Sequence, residues 1–402
     1  MRASWAVAAA AAAAGLALGG LGLVIARRLT SSASGRSYDL TIRGVDNSGE
    51  RPIVVLDRTP ATAASGLYCL ILENGGWARL SHEVEDRGPG LVGREVLGET
   101  GPSLAAGERA SWSGIYFSGP EDAGLDAKDV EIPTGVGQAP AWLITPTGTL
   151  SSTWAIHIHG LGSPRAGTLR GIQVASDAEL TSLVVTYRND GEGPIVGTGR
   201  SELGAAEVDD VRAAVRFALE NGARDVVLFG WSMGAAIALQ LAAEHELRGI
   251  VVGLVLDSPV LDWVSTIKAN CVRSSLPAWS GALAAPWLTF WPLALMIGLA
   301  SPIDLSRFDW IARAGELNVP ILLLHGTLDT SSPFEVSTRI RALRPDIVDL
   351  EVFEADHTMS WNSDHERWRA VLFSWLVSLA ARSTESAHSM KWPDSGESPD
   401  DM

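Results

Sequence analysis

The sequence predicts an α/β protein whose core is a doubly wound, mostly parallel sheet. Short apolar segments alternate with segments of helical periodicity over residues 128–382, and the connections between them are short. Polar residues follow several of the apolar segments directly. Parallel strands direct their carboxyl ends to one edge of a sheet, where ligands bind. We therefore expect these polar residues to share a site at that edge.

The central segment of this prediction covers residues 226–236. An apolar, strand-like run leads through Gly230-Trp231-Ser232-Met233-Gly234 into small, helix-forming residues. A serine on so sharp a turn needs neighbours without bulk, and the turn places it at a helix N-terminus, where N–H groups point outward. Because the chain has 41 glycines in 402 residues, the pattern alone is weak evidence. The strand before it and the helix after it make it specific.

This segment resembles the nucleophile elbow of the α/β-hydrolase superfamily. The resemblance covers roughly residues 128–381 and is closest to the branch of serine aminopeptidase-like and monoacylglycerol-lipase-like hydrolases. It implies the α/β-hydrolase fold and a Ser-His-acid triad.

The predicted catalytic residues are Ser232, Asp329 and His357, in the chain order that this superfamily uses. A serine hydroxyl needs a base within hydrogen-bond reach, and histidine suits this role because its ordinary pKa is close to neutral. An acid then orients the imidazole and stabilises its charged form. His357 follows the last predicted strand, and Asp329 ends a His-Gly-Thr-Leu-Asp sequence that resembles the acid-bearing loop of the superfamily.

Two other aspartates are candidates for the acid. Asp257 follows an earlier predicted strand, where some members of the superfamily carry the acid, and its alternative role is to form the turn before Pro259. Asp356 is adjacent to His357 and could not easily fold back to orient it. Asp329 is therefore the predicted acid, with Asp257 as its rival.

The oxyanion hole is predicted to consist of the backbone N–H groups of Met233 and Leu161. Met233 follows the nucleophile, and Leu161 lies in the loop after His159-Gly160, where the superfamily supplies its second donor. His157 and His159 lie two residues apart and share a strand face, so a metal pair is conceivable. No third ligand has suitable spacing, and His159 is better explained as a brace for the loop. No metal or organic cofactor is expected.

The overall composition excludes some classes of function. A net charge of −16 argues against nucleic-acid binding, which needs a basic surface. Two cysteines, Cys69 and Cys271, are too few for a disulfide framework, and their pairing cannot be derived from the sequence.

Residues 1–28 are expected to form a transmembrane anchor or a signal segment. Residues 3–26 carry no charge, and as a helix they would extend about 36 Å, enough to cross a hydrocarbon core of about 30 Å. A cleaved signal usually has a shorter apolar region, so a retained single span is favoured over secretion. Arg2 precedes the segment, whereas Arg27, Arg28, Arg36 and Arg43 follow it, which favours a cytoplasmic catalytic domain. A cleaved signal would place that domain outside, so the side of the membrane stays open.

The remaining chain divides by composition. We expect a linker at residues 29–37, a small β-rich appendage at 38–127, the hydrolase domain at 128–382 and a disordered acidic tail at 383–402. Within the hydrolase domain, residues 262–304 are the expected helical cap. Residues 281–300 carry no charge, but Pro286 and Pro292 interrupt them, so we interpret this stretch as a lid or as ordinary core rather than a second span.

Together these features predict a membrane-tethered serine hydrolase that cleaves an ester, thioester or amide bond through an acyl-enzyme. The substrate would be a small acyl compound, of which a lipid-like one is an option. The alternative is a non-catalytic binding or scaffold protein that retains the fold.

Overall fold

The structure is a computed structural model and describes residues 2–32, 36–148 and 151–389. Within these residues the chain forms two eight-stranded sheets, one after the other in sequence. The helices of the described residues are α1 (Arg2–Leu29), α2 (Leu169–Asp177), α3 (Glu207–Glu220), α4 (Met233–Ala243), α5 (Trp263–Arg273), α6 (Ala285–Thr289), α7 (Trp291–Ile297), α8 (Phe334–Leu343), α9 (Ser360–Ser363) and α10 (His365–Ser389).

The first sheet is antiparallel throughout, with strand order β1-β8-β4-β5-β7-β3-β2 and β6 paired to β7. Alternating buried positions give it a small apolar core of its own. Its strands are β1 (Leu40–Thr41), β2 (Gly44–Asp46), β3 (Ile53–Asp57), β4 (Tyr68–Leu72), β5 (Trp77–Leu80), β6 (Glu85–Asp86), β7 (Leu91–Thr100) and β8 (Arg109–Ser113).

The longest of these strands, β7, was not predicted from the sequence. Arg94 interrupts its apolar alternation, yet the Arg94 side chain is fully buried. Its guanidinium donates hydrogen bonds to the carbonyls of Thr62, Ala64, Gly66 and Ser81, at 2.6–3.2 Å. A buried charge is tolerated when its hydrogen bonds are made, so an arginine occupies a core position here.

The second sheet is mostly parallel, as predicted, with strand order β16-β15-β14-β13-β11-β12-β10-β9. Strands β16 to β12 in this order are parallel, and the β9–β10 hairpin continues the sheet antiparallel to β12. Its strands are β9 (Ala127–Thr134), β10 (Gly137–Ile144), β11 (Thr153–Ile158), β12 (Thr181–Val185), β13 (Asp225–Trp231), β14 (Val251–Asp257), β15 (Ile321–Gly326) and β16 (Val348–Phe353).

Helices cover both faces of this sheet. On β13, Leu228 belongs to the apolar cluster that includes α3, α4 and the cap, whereas Phe229 belongs to the cluster that includes α2 and α10. Both residues are fully buried. A strand that is apolar on both sides needs such cover on both faces, which explains the continuous apolar run before Ser232.

The region between β14 and β15 contains α5, a 3-10 helix at Ala278–Leu283, α6 and α7. We call this region the cap. The last turns of α1 pack against it: Ala26 is fully buried, and a Cβ added to Gly22 would lie 2.1 Å from the Leu283 carbonyl oxygen. α1 is thereby fixed to the hydrolase part of the chain at its C-terminal end.

The described residues, which in α1 include the side chains of Trp5 and of residues 13–29, bear on whether a helix spans a membrane. Among them no single helix is long and apolar enough to cross a membrane. The pair Ala278–Thr289 and Trp291–Ile297, bent by 98°, reaches that length and composition together. The N-terminal anchor stays a prediction from the sequence.

The final helix is longer than predicted. α10 continues to Ser389, so its backbone includes residues 383–389, which were expected to belong to the disordered tail. These residues contain neither glycine nor proline, and the first proline beyond them is Pro393. Residues 390–402 of the predicted tail and residues 33–35 of the predicted linker lie outside the described residues.

Candidate active site

Ser232 lies on a strained turn between β13 and α4. Its φ is 52° and its ψ is −113°, a conformation that a residue with a side chain rarely adopts. The flanking glycines allow the chain to pass: a Cβ on Gly230 would lie 2.5 Å from the Ala235 Cα, and one on Gly234 would lie 2.1 Å from the Ile158 carbonyl oxygen. The Gly-x-Ser-x-Gly spacing is thus a steric requirement of this turn.

The structure brings the three predicted catalytic side chains into one hydrogen-bonded chain. Ser232 Oγ lies 2.9 Å from His357 Nε2, and His357 Nδ1 lies 2.8 Å from Asp329 Oδ2. An ionised carboxylate can only accept hydrogen bonds, so Nδ1 carries the imidazole proton. Nε2 is then free to accept the proton of the serine hydroxyl.

A second histidine holds the acid in place. His325 Nε2 donates to Asp329 Oδ2 and to the Ser332 carbonyl, both at 3.1 Å, while the backbone N–H groups of Ser331 and Ser332 donate to Asp329 Oδ1. Burial alone would raise the pKa of Asp329, but the hydrogen bonds from His325 and His357 outweigh it and hold that pKa well below its usual range. Asp329 is therefore ionised at neutral pH.

The rival acid, Asp257, has different partners. Its Oδ2 accepts a hydrogen bond from Trp368 Nε1 at 3.1 Å, and its Oδ1 lies 3.2 Å from Ser258 Oγ. Burial raises the pKa of Asp257. In the described part of the chain Asp257 makes no hydrogen bond to His357, so its position fits a structural role beneath the site.

The two predicted oxyanion donors flank Ser232. A Cβ added to Gly160 would lie 3.1 Å from Ser232 Cβ and 3.8 Å from its Oγ, so the loop that carries Leu161 passes directly over the serine. Met233 is the first residue of α4, where N–H groups have no partner within the helix. Among the described residues neither amide donates to a protein acceptor. Both N–H groups are therefore available to a substrate oxygen.

Sequence comparison identifies the family. The profile of the alpha/beta hydrolase family matches residues 155–376, which is more than half of the chain. The chain belongs to the alpha/beta hydrolase family. The predicted superfamily, fold and enzyme class are thereby confirmed. The profile of a domain of unknown function, DUF8805, matches residues 41–113, which contain most of the first sheet. No curated protein matches the chain.

Solved structures with a similar fold include an esterase of Pyrococcus furiosus, 21% identical, which covers 65% of this chain and 94% of its own with a TM-score of 0.50. A hyperthermophilic esterase of Pyrobaculum calidifontis is 16% identical and covers 65% and 88%, with a TM-score of 0.47. An alpha-beta serine hydrolase homologue of Coxiella burnetii is 20% identical and covers 61% and 96%, with a TM-score of 0.40. The likeness to the Pyrococcus furiosus esterase, at 21% identity and a TM-score of 0.50, shows a shared fold and nothing about substrate.

His157, on β11, and His159, in the loop after it, contact different partners and do not form one site. His157 Nε2 lies 3.1 Å from Ser182 Oγ, whereas His159 Nε2 lies 3.0 Å from Asp190 Oδ2. Among the described residues no group of three or more histidine, cysteine or acidic side chains could hold a metal. The Tyr187 hydroxyl donates to the Gly160 carbonyl at 3.2 Å, and the Tyr187 ring stacks on the His159 ring. His159, Tyr187 and Asp190 thus support the loop that carries Leu161.

Sequence reasoning missed several residues that hold the catalytic loops of the hydrolase. Asp356 Oδ1 accepts hydrogen bonds from the backbone N–H groups of Thr330 and His357, at 2.9 and 2.8 Å, and so ties the acid loop to the histidine loop. His325 could have been noticed, because it is a polar residue at the end of an otherwise apolar strand. The link that Asp356 makes to the acid loop carries no such signal, since its partner there, Thr330, is 26 residues away.

Proposed function

We propose that this chain is a membrane-tethered serine hydrolase that cleaves an acyl bond through a covalent acyl-enzyme. The observation that carries the proposal is the continuous path from Ser232 Oγ through His357 to Asp329, with contacts of 2.9 and 2.8 Å. Such a path activates a serine hydroxyl, which is a poor nucleophile by itself.

In the proposed reaction Ser232 Oγ attacks the carbonyl carbon while His357 Nε2 takes the hydroxyl proton. The N–H groups of Leu161 and Met233 stabilise the oxyanion. Asp329 stabilises the imidazolium that has formed. His357 then gives its proton to the leaving group as the bond to the carbonyl carbon breaks. A water molecule, deprotonated by His357, attacks the acyl-enzyme. His357 returns this proton to Ser232 Oγ as the bond from Oγ to the acyl carbon breaks, which releases the acid product and restores the enzyme.

We take esters as the first bond to test, because an esterase shares this fold. The experiment is a panel of p-nitrophenyl esters of increasing acyl length, measured beside aminoacyl anilides with full-length protein in detergent. We expect ester turnover that depends on Ser232. Turnover of the anilides alone would move the proposal to amides, and the absence of turnover together with the absence of labelling by a fluorophosphonate would favour the scaffold alternative.

The proposed tether is α1, supported by the 24 charge-free residues 3–26. Its retention is supported by its packing: Ala26 is buried under the cap, and Arg200 Nη1 donates to the Arg27 carbonyl at 2.7 Å. A segment that is removed on export has no need to fit the mature protein. Deletion of residues 1–20 should leave an active enzyme that a carbonate wash removes from membranes, because residues 21–29 still cover the cap. N-terminal sequencing that finds these residues missing from mature protein would replace the tether by a cleaved signal.

A further inference from the structure

The cap exposes an uncharged apolar surface. Residues 278–300 contain no charged side chain, and five of their large apolar side chains are between 47% and 68% exposed. We call these five the cap face: Trp279, Phe290, Trp291, Leu295 and Met296. So much exposed aromatic and aliphatic surface within one short region is typical of an interaction surface rather than of a solvated one.

The cap face adjoins α1. Trp287 Nε1 donates a hydrogen bond of 3.1 Å to the Gly19 carbonyl, which fixes α6 against the middle of α1. Leu295 and Met296 line the same open cavity as Arg27. Towards the N-terminus from Gly19 the helix becomes uncovered: residues 13–18 are all exposed, and Leu16 is 78% exposed. The cap face and the uncovered part of α1 are thus two neighbouring apolar surfaces.

Helix dimensions relate these surfaces to a bilayer. Residues 3–20 would extend about 27 Å as a helix, close to a hydrocarbon thickness of about 30 Å. The helix then leaves the hydrocarbon near Gly19, which is the level that Trp287 contacts. Arg27 lies eight residues further on, about 12 Å towards water. Tryptophan and tyrosine side chains concentrate at this boundary in membrane proteins, and the cap face contains Trp279 and Trp291.

We propose that the cap face is a membrane-docking surface, seated in the interfacial layer of the bilayer that α1 enters. The proposal rests on the tether proposed above. A bilayer covers the cap face and residues 13–18 of α1 together, because the two surfaces are adjacent and neither carries a charge. A second copy of the chain fits less well as the occupant, because one rigid interface would have to match both surfaces.

Docking of the cap would hold the candidate active site near the membrane surface, on the water side of Arg27. The Ser32 carbonyl oxygen would lie 3.5 Å from a Cβ on Gly162, so the end of the α1 segment contacts the loop that carries Leu161. Ser32 Oγ also donates to the Gly199 carbonyl at 2.7 Å. The substrate class that fits this placement is an acyl ester that partitions into the membrane.

The test uses full-length protein in phosphatidylcholine nanodiscs, with one added cysteine carrying an environment-sensitive fluorophore. The labelled variants are Met296→Cys and Phe290→Cys on the cap face, Leu16→Cys on α1 and Val377→Cys as the matched control. Val377 is 51% exposed on α10, which packs on the opposite face of the sheet. Cys69 and Cys271 are buried and free, so labelling favours the added thiol. Thermal melting checks that each variant is folded.

We expect a shallow spin-labelled phosphatidylcholine to quench the labels at residues 296 and 290 strongly and the label at residue 377 hardly at all. Quenching at residue 16 without quenching at residues 290 and 296 would leave the tether standing and overturn the docking surface. No quenching at residue 16 would overturn the tether and the docking surface with it. If the labels at residues 290 and 296 are unquenched, disulfide-linked dimers of unlabelled Met296→Cys protein, formed with an added mild oxidant, would assign the cap face to a second copy.

Discussion

The side-chain amide of Asn362 donates a hydrogen bond of 2.6 Å to the carbonyl of Leu67, and so joins the histidine side of the active site to the first sheet. The same amide donates to the Gly114 carbonyl at 3.0 Å, while Asn362 Oδ1 accepts from Arg170 Nη1 at 2.5 Å. Arg170 Nη1 also donates to the carbonyl of Thr358, the residue after His357. The N-terminal sheet is therefore a brace for the segment that carries the histidine.

Asn362→Ala should lower the free energy of unfolding, because the Leu67 and Gly114 carbonyls and the buried Arg170 would each lose a partner. A buried polar group left unpaired costs about 1–3 kcal/mol. Urea unfolding measures the change, with Asn318→Ala as the matched control, since Asn318 is exposed and its amide bonds only the nearby Glu316 carbonyl. Equal losses in the two variants would contradict the bracing role.

Asp329→Asn should reduce kcat by several orders of magnitude, by analogy with the loss of about 10⁴ when the orienting aspartate of a serine protease becomes asparagine. The amide cannot stabilise the imidazolium as a carboxylate does, so the loss should appear in kcat more than in KM. Steady-state kinetics on the best ester of the panel provides the measurement.

Asp257→Asn is the control for the acid. The new amide oxygen can still accept the hydrogen bond from Trp368, so we expect kcat to stay close to that of the wild type. The reverse ranking of the two variants would assign the acid to Asp257 and leave the roles of Ser232 and His357 unchanged.

His157 should make the stability of the protein depend on pH. Burial lowers the pKa of His157 to about 3 in the folded state, whereas the unfolded pKa is about 6.5. Between these values only the unfolded chain binds the proton. The contribution of His157 is therefore complete above about pH 6.5 and declines as pH falls through this window.

His157→Gln should remove this dependence. Between about pH 7 and about pH 5 we expect the wild type to lose about 2 kcal/mol more unfolding free energy than the variant. Urea unfolding at both pH values measures it, and His245→Gln, at an exposed histidine, should behave as the wild type. Parallel behaviour of the wild type and His157→Gln would show that the buried imidazole is protonated in the folded state.

Much of the hydrolase part was predictable because its signals are local. The strand, turn and helix around Ser232 are consecutive in sequence, and a turn at φ 52° has a steric signature in its two glycines. Asp329 and His357 both follow strand ends, and parallel strands finish at one edge. The resemblance of the Asp329 loop to the acid-bearing loop of the superfamily distinguished Asp329 from Asp257, which also follows a strand. Pattern reasoning therefore found the residues that the fold brings together.

The supporting contacts were not predictable because they join distant parts of the chain. Asn362 and Leu67 are 295 residues apart, and Arg94 occupies a core position that a hydrophobicity pattern assigns to an apolar residue. The packing of α1 on the cap was not predicted, for the same reason. The composition of α1 indicates a membrane segment, but the packing of Ala26 and Gly22 on the cap depends on a region more than 250 residues later.

The most direct measurement for the proposed function is covalent labelling of the full-length protein with a fluorophosphonate, followed by peptide mass spectrometry. The proposal predicts stoichiometric phosphonylation of Ser232 and no labelling of Ser232→Ala, whose melting temperature should stay near that of the wild type. His357→Ala should label far more slowly, because the serine would lose its base. Stoichiometric labelling of the Ser232→Ala variant, or no labelling of folded wild-type protein, would contradict the assignment of Ser232 as an activated nucleophile.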